Sequence, residues 1–179
     1  MKRLYTLTML ALLLSAGSAF AQANDAKALN VSLQLSEPLN CAISVDQDLA
    51  LAGTLPSSGS ATYQADPVNG KINTTGTGAS VDATNSTLGQ FSVSVSGASL
   101  ANLNIVAPPF LSGPNGSSVN FAVAWAQENG GNYQAISGNS VSLTSGTHTF
   151  RVGGTIDVPS NAEPGAYSSS IDLVVTCNN

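Results

Sequence analysis

Two cysteines, one histidine and ten carboxylates are the whole supply of thiol, imidazole and acidic side chains in 179 residues. A nucleophile triad needs a histidine base hydrogen-bonded to its nucleophile. The single histidine, His148, stands in a Thr-rich run that reads as the start of an edge strand, so it is expected at the surface. A zinc site needs three or four converging Cys, His or carboxylate ligands, and this inventory is too thin for the usual combinations. Asp46 and Asp48 flank Gln47 at a turn, but no Gly-bearing twelve-residue loop follows, so a solvated turn is a better reading than a calcium site. Paired carboxylates for glycoside hydrolysis would need a cleft, normally furnished with aromatic platforms. The lone Trp, Trp125, alternates with Phe121 and Val123, which favours core packing over sugar stacking. No catalytic residue, metal site or cofactor is expected, and the chain reads as non-enzymatic.

The two cysteines lie far apart, Cys41 and Cys177. In an oxidising compartment an isolated pair is most economically a disulfide, and closing so long a loop is worth up to about 5 kcal/mol in the chain-entropy model. Such a bond would set the strand around Cys41 beside the last strand. Free thiols or a redox site are the alternatives, and they lack the C-x-x-C spacing that would favour them.

The compartment is suggested by the start of the chain. Met1-Lys2-Arg3 is followed by an apolar run from Leu4 to Leu14 and then by Ser15-Ala16-Gly17-Ser18-Ala19-Phe20-Ala21. This is the order of a charged region, an apolar region and an A-x-A cleavage site, so residues 1–21 read as a secretory signal peptide. The apolar run is shorter than the roughly 20 residues a membrane-spanning helix requires. No later segment is apolar enough to span, so no embedded membrane segment is expected.

Residues 22–179 suit one domain and are enough to bury roughly 70% of the unfolded chain's surface. They keep only Lys27, Lys71 and Arg151 as cations against ten carboxylates, a balance that disfavours nucleic acid and anionic lipid as partners. Apolar residues alternate with polar ones at Leu29 to Leu35, Leu39 to Val45, Gln90 to Ser96, Leu103 to Val106, Val119 to Trp125, His148 to Val158 and Ser170 to Thr176. Between Pro56 and Ser86 the chain is rich in Ser, Gly, Thr and Asn, and loops or edge strands are expected, with weaker strand candidates at Ala61 to Ala65 and Ala79 to Ala83. The Gly153-Gly154 pair inside a continuous strand predicts a bulge or a close backbone approach. Several short strands separated by turn signals predict an all-β, immunoglobulin-like β-sandwich, a single domain after the signal peptide.

The segment Phe150-Arg151-Val152-Gly153-Gly154-Thr155-Ile156-Asp157-Val158-Pro159, followed by Pro164-Gly165-Ala166-Tyr167 and a closing strand, resembles the C-terminal signature of an exported bacterial family, domain of unknown function 4402. The strands at Leu29 and Leu39 also sit where that family has its own. The close at Gly165-Ala166-Tyr167 is similar to that of chaperone-usher pilins. The resemblance implies a pilin-like subunit of a surface assembly and carries no known activity.

One element invites a functional reading of its own. Leu29, Val31, Leu33 and Leu35 form an apolar face at spacing two, behind a polar leader from Gln22 to Lys27. In donor-strand complementation an extended segment leaves its subunit and fills a groove in the next, main-chain hydrogen bonds giving affinity and alternate side chains filling pockets. Residues 22–36 have that form. The competing reading is that the strand completes its own domain, tethered close by Cys41. The expected protein is thus a secreted fibre subunit, passing through the periplasm to the cell surface, with copies of itself or related subunits as partners and a periplasmic chaperone as a candidate partner in transit. The rival is a monomeric secreted binding module, for carbohydrate, working through the loops at Pro108-Pro109-Phe110 or Asn129-Gly130-Gly131-Asn132-Tyr133; an exposed aromatic in either loop would favour it.

Overall fold

A computed structural model describes residues 23–26, 33–34, 38–98 and 100–178. The expected signal segment 1–21 lies outside the described residues, as do Leu29, Val31 and Leu35 of the apolar face. Fifteen strands follow one another, with one 3-10 turn at Pro114–Gly116. The first eight are β1 (Ala23–Ala26), β2 (Leu33–Gln34), β3 (Pro38–Gln47), β4 (Gly53–Thr54), β5 (Ser58–Asp66), β6 (Lys71–Thr77), β7 (Ser80–Val81) and β8 (Gly89–Ser96). Then come β9 (Leu100–Val106), β10 (Phe110–Ser112), β11 (Ser118–Asn129), β12 (Asn132–Ala135), β13 (Ser140–Leu143), β14 (Gly146–Val158) and β15 (Asp172–Asn178).

Two sheets account for most of them. A four-stranded sheet runs β1-β15-β9-β13, and a nine-stranded sheet is built around β10-β11-β14-β8-β3-β2, with β12 on β11 and the β5-β6 hairpin on β14. β4 and β7 form a separate pair. The fold is therefore all-β with several sheets.

Alternation in the sequence becomes burial. Phe91, Val93 and Val95 of β8 are buried while Ser94 and Ser96 face out, and on β9 Ala101, Leu103 and Ile105 are buried between exposed neighbours. These residues meet Trp125, Leu143, Phe150, Val175 and both cysteines in one cluster drawn from both large sheets. At its centre Phe150 stacks on Phe91 with ring centroids 4.9 Å apart and tilts against Trp125 at 5.8 Å. Such ring pairs contribute about 0.5–1.5 kcal/mol each beyond their burial. The sulfurs of Cys41 on β3 and Cys177 on β15 are bonded, with Cα atoms 6.3 Å apart. Their strands are not sheet neighbours as the sequence suggested: β3 lies in the nine-stranded sheet and β15 in the four-stranded one, so the bond ties the two sheets together.

β14 carries both halves of the large sheet. It pairs with β11 along one side, while on the other its partner changes from β8, ending at Val152↔Gly89, to β5, starting at Gly154↔Ala65. The change falls on the glycine pair, where the chain also makes the close backbone approach that the pair's position predicted. A Cβ at Gly153 would run into the carbonyl of Ala65 and one at Gly154 into that of Ala122, and Gly154 has φ +147°, a conformation L side chains rarely adopt.

The Ser- and Thr-rich stretch is more ordered than loops. β5 buries Ala61, Tyr63 and Ala65, and β6 pairs with it from Asp66↔Lys71 to Thr62↔Thr75. Asp66 closes this hairpin by accepting from the backbone N–H groups of Val68 (2.9 Å) and Asn69 (3.2 Å) and from the Asn69 amide (2.6 Å). The residues Leu49-Ala50-Leu51 form no strand, only an isolated bridge between Ala50 and Thr87.

Candidate functional site

Each residue with chemical potential has a placed environment. The Nε2 atom of His148 lies 2.9 Å from the carbonyl of Thr144, to which it donates, and Nδ1 accepts from the Gln127 amide at 3.1 Å. Both ring nitrogens are thereby committed to β14's own surroundings, and neither faces a nucleophile. Asp46 accepts from the Ser44 hydroxyl at 3.3 Å, and Asp46 and Asp48 are both exposed. Among the described residues no group of three or more His, Cys, Asp or Glu side chains converges on a metal position. Trp125 is 3% exposed and its indole N–H donates to the carbonyl of Gly138 at 2.8 Å, which places it in the core and not on a sugar-binding face. In the two loops noted for the rival reading, Tyr133 is half-buried under the Arg151 guanidinium, 3.8 Å from the ring centroid, and Phe110 is 49% exposed.

A large concavity lies at the other end of the sheet from the disulfide. It is an open groove of about 1090 Å³. Its floor is the inward face of β11 and the second half of β14, with Val119, Phe121, Ile156 and Val158, together with Tyr63 of β5. Two further stretches contribute to the lining: Leu49, Leu51 and Leu55 downstream of β3, which flank the short strand β4, and Pro164 to Ile171 upstream of β15. Ser168 within the second stretch is held by reciprocal backbone hydrogen bonds to Ser112 of β10, at 3.0 and 2.9 Å. Much of this apolar lining is only half covered, Leu51, Leu111, Ile156, Tyr167 and Ile171 among it, and Val45 at the rim is 60% exposed.

Polar groups at this end are few and fixed. Tyr63 donates its hydroxyl to the carbonyl of Thr54, and burial pushes its phenol above the ordinary tyrosine range. Tyr167 donates to the carbonyl of Glu163 at 2.9 Å and its ring packs over Gly113, where a Cβ would collide with it. Asp82, in the turn leading to β8, is held below the usual carboxylate range by the Asn85 amide and the Thr84 backbone N–H.

The sequence did not single out this groove. Leu49, Leu51 and Leu55 are spaced like a short strand, and only the missing sheet partner turns them into a wall. The N-terminal segment is represented by its two paired pieces. β1 lies antiparallel to β15, from Ala23↔Cys177 to Ala26↔Val174, and Leu33-Gln34 pair with Leu39-Pro38 of β3. Leu33 is the member of the Leu29, Val31, Leu33, Leu35 face that falls among the described residues, and it pairs in a sheet.

These elements define an all-β domain whose two sheets are locked by one disulfide at one end and leave an apolar groove open at the other. The chain matches the family described as domain of unknown function (DUF4402) over residues 39–177, and it belongs to that family. The match runs from two residues before Cys41 to Cys177 itself, so β3 to β15 are the family's domain and β1 and β2 precede it. No curated protein and no solved structure matches the chain. Among the described residues no helix is long and apolar enough to cross a membrane.

Proposed function

We propose that the protein is a non-enzymatic structural subunit of a surface or extracellular fibre, a pilin-like immunoglobulin-type sandwich whose copies join by exchanging a strand. The observation that carries this reading is the groove: an apolar sheet face with a volume of about 1090 Å³ that the chain's described residues do not fill. Small-molecule sites run to about 300–1,000 Å³ and enclose most of their ligand. An open trough at the top of that range, lined mainly by aliphatic side chains, suits an extended peptide segment better. The segment 22–36 has the alternating pattern such a trough accepts and lies outside the family's matched residues. Under this reading the protein is exported, crosses the periplasm, where a chaperone is a fitting transient partner, and ends at the cell surface with copies of itself or related subunits.

The test is the size of the purified protein by light scattering, before and after denaturation and refolding, for the chain from residue 22 and for one lacking residues 22–36. Ladders or fibres that form only with the segment present support the reading. Fibres of undiminished length from the deletion variant would overturn it. A second reading, a monomeric secreted module for carbohydrate, draws on the exposed ring of Phe110. A well-folded monomer that binds a glycan array through Phe110 would replace the fibre reading.

A further inference from the structure

From the register of β1 we infer that β15 and the groove beyond it take residues 23–35 of a second copy of this chain in place of the chain's own β1, laid antiparallel from Cys177 back to Gly165. This rests on the strand-exchange reading above and gives it a site and a register. The first observation is that β15 already accepts this chain's N-terminal segment: β1 occupies its edge at Val174 to Cys177 in a fixed antiparallel register, and among the described residues that ladder stops at Val174. Beyond Val174 the chain leads straight into the groove lining.

The second observation is parity. Positions 23 and 25 stand opposite Cys177 and Val175, whose side chains are 2% and 0% exposed and belong to the core. Directly opposed residues of an antiparallel pair share a face, and residues two apart stay on it. Carried onward without a slip, the same register sets positions 29, 31, 33 and 35 opposite Ile171, Ser169, Tyr167 and Gly165. All four of those partners line the groove, as do the residues between them, so the parity is carried by the buried Cys177 and Val175 and not by the lining. The apolar residues of the segment, Leu29, Val31, Leu33 and Leu35, fall on the inward parity, and Asn30, Ser32 and Gln34 on the outward one. A slip of one residue would reverse this and turn the polar set inward.

The third observation selects the second copy. Within one chain Leu33 and Gln34 pair with Leu39 and Pro38 at the start of β3, beside the disulfide end. The same residues cannot stand there and opposite Tyr167. Among the described residues this home pairing joins two residues, whereas a neighbour's groove offers a much longer apolar surface and takes the segment once two copies meet. Residues 27–35, extended, span about 30 Å, enough to run the length of the lining.

Disulfide trapping between full chains from residue 22 tests the inference. One population carries Val31→Cys, the other Ser169→Cys, and the two are mixed under mild oxidation; Asn30→Cys with Ser169→Cys is the control for parity. The expected result is a crosslinked dimer with Val31→Cys that is lost with Asn30→Cys. Equal trapping by both overturns the register. Fibres from the native chain with no trapping by either pair overturn the groove as the docking site while leaving the fibre reading intact. Trapping within a single chain that carries both Val31→Cys and Ser169→Cys, with no dimer in the mixture, shows that the segment fills its own groove and overturns the second copy.

Discussion

The two ends of the large sheet share strands and differ in completeness. Around the disulfide, Phe150, Leu103, Ile105, Leu143 and Val175 are at most 1% exposed, because residues of the four-stranded sheet close over the nine-stranded one. At the groove end a smaller cluster of Ala61, Tyr63, Val119 and Val158 has only half-buried neighbours such as Leu51, Leu111, Ile156 and Tyr167. β14 runs through both, and its glycine pair marks where one gives way to the other. The same strand chemistry thus yields a finished core where a second sheet covers it and a half-covered face where, among the described residues, none does.

The comparison can be broken most forcefully at the disulfide. Replacing Cys41 and Cys177 by Ala frees a loop of sequence separation 136, and the chain-entropy model sets the loss at about 5 kcal/mol as an upper figure. Urea denaturation should show the whole midpoint move, since both sheets are tied there. An unchanged midpoint would mean that packing alone holds the closed end.

Next in size is a contrast between two truncations. Phe150→Ala removes a ring packed between Phe91 and Trp125 and should cost about 3–5 kcal/mol. Leu111→Ala at the half-covered groove should cost about 1 kcal/mol in the isolated chain. Equal losses in chemical denaturation would erase the distinction between a filled end and an open one.

The smallest effects are those of pH. Tyr63 has its folded pKa raised by burial, so its contribution is complete below the unfolded tyrosine value and is lost as pH rises through the folded one. Alkaline titration should therefore loosen the groove end first, and Tyr63→Phe should remove that limb from the stability profile. Asp66 is lowered, chiefly by its bond to Asn69, so its contribution is present above the unfolded carboxylate value and fades as pH falls through the folded one. Because Asp66 is largely solvated, only a slight shift of the acid midpoint is expected when it is replaced by Ala.

What was legible in the sequence follows the same division. β8, β9, β11, β14 and β15 announce themselves because each buries most of one face, and such burial favours alternation. Trp125 and the glycine pair were readable for the same reason. β6, with the sequence Lys-Ile-Asn-Thr-Thr-Gly-Thr, and the short strand β12 gave no signal, since strands lying largely in solvent need no apolar face, and β13 is too short, at four residues, for its alternation to stand out although Leu143 is buried. The groove was hidden by a different cause. Leu49, Leu51 and Leu55 carry the spacing of a strand, and nothing local tells a wall from a ladder; that depends on whether a partner strand is present. The pairing of Leu33 with Leu39 likewise depends on the chain turning back between them.

The bond between Cys41 and Cys177 has a mechanical consequence. Tension applied at the two ends of the chain enters at residue 40 and leaves at residue 178, and between those points it is carried by a covalent bridge. The strands between Cys41 and Cys177 lie in parallel with that bridge and bear almost no load. Pulled end to end, the domain behaves as a rigid link, and the force is felt only by the segment that precedes it.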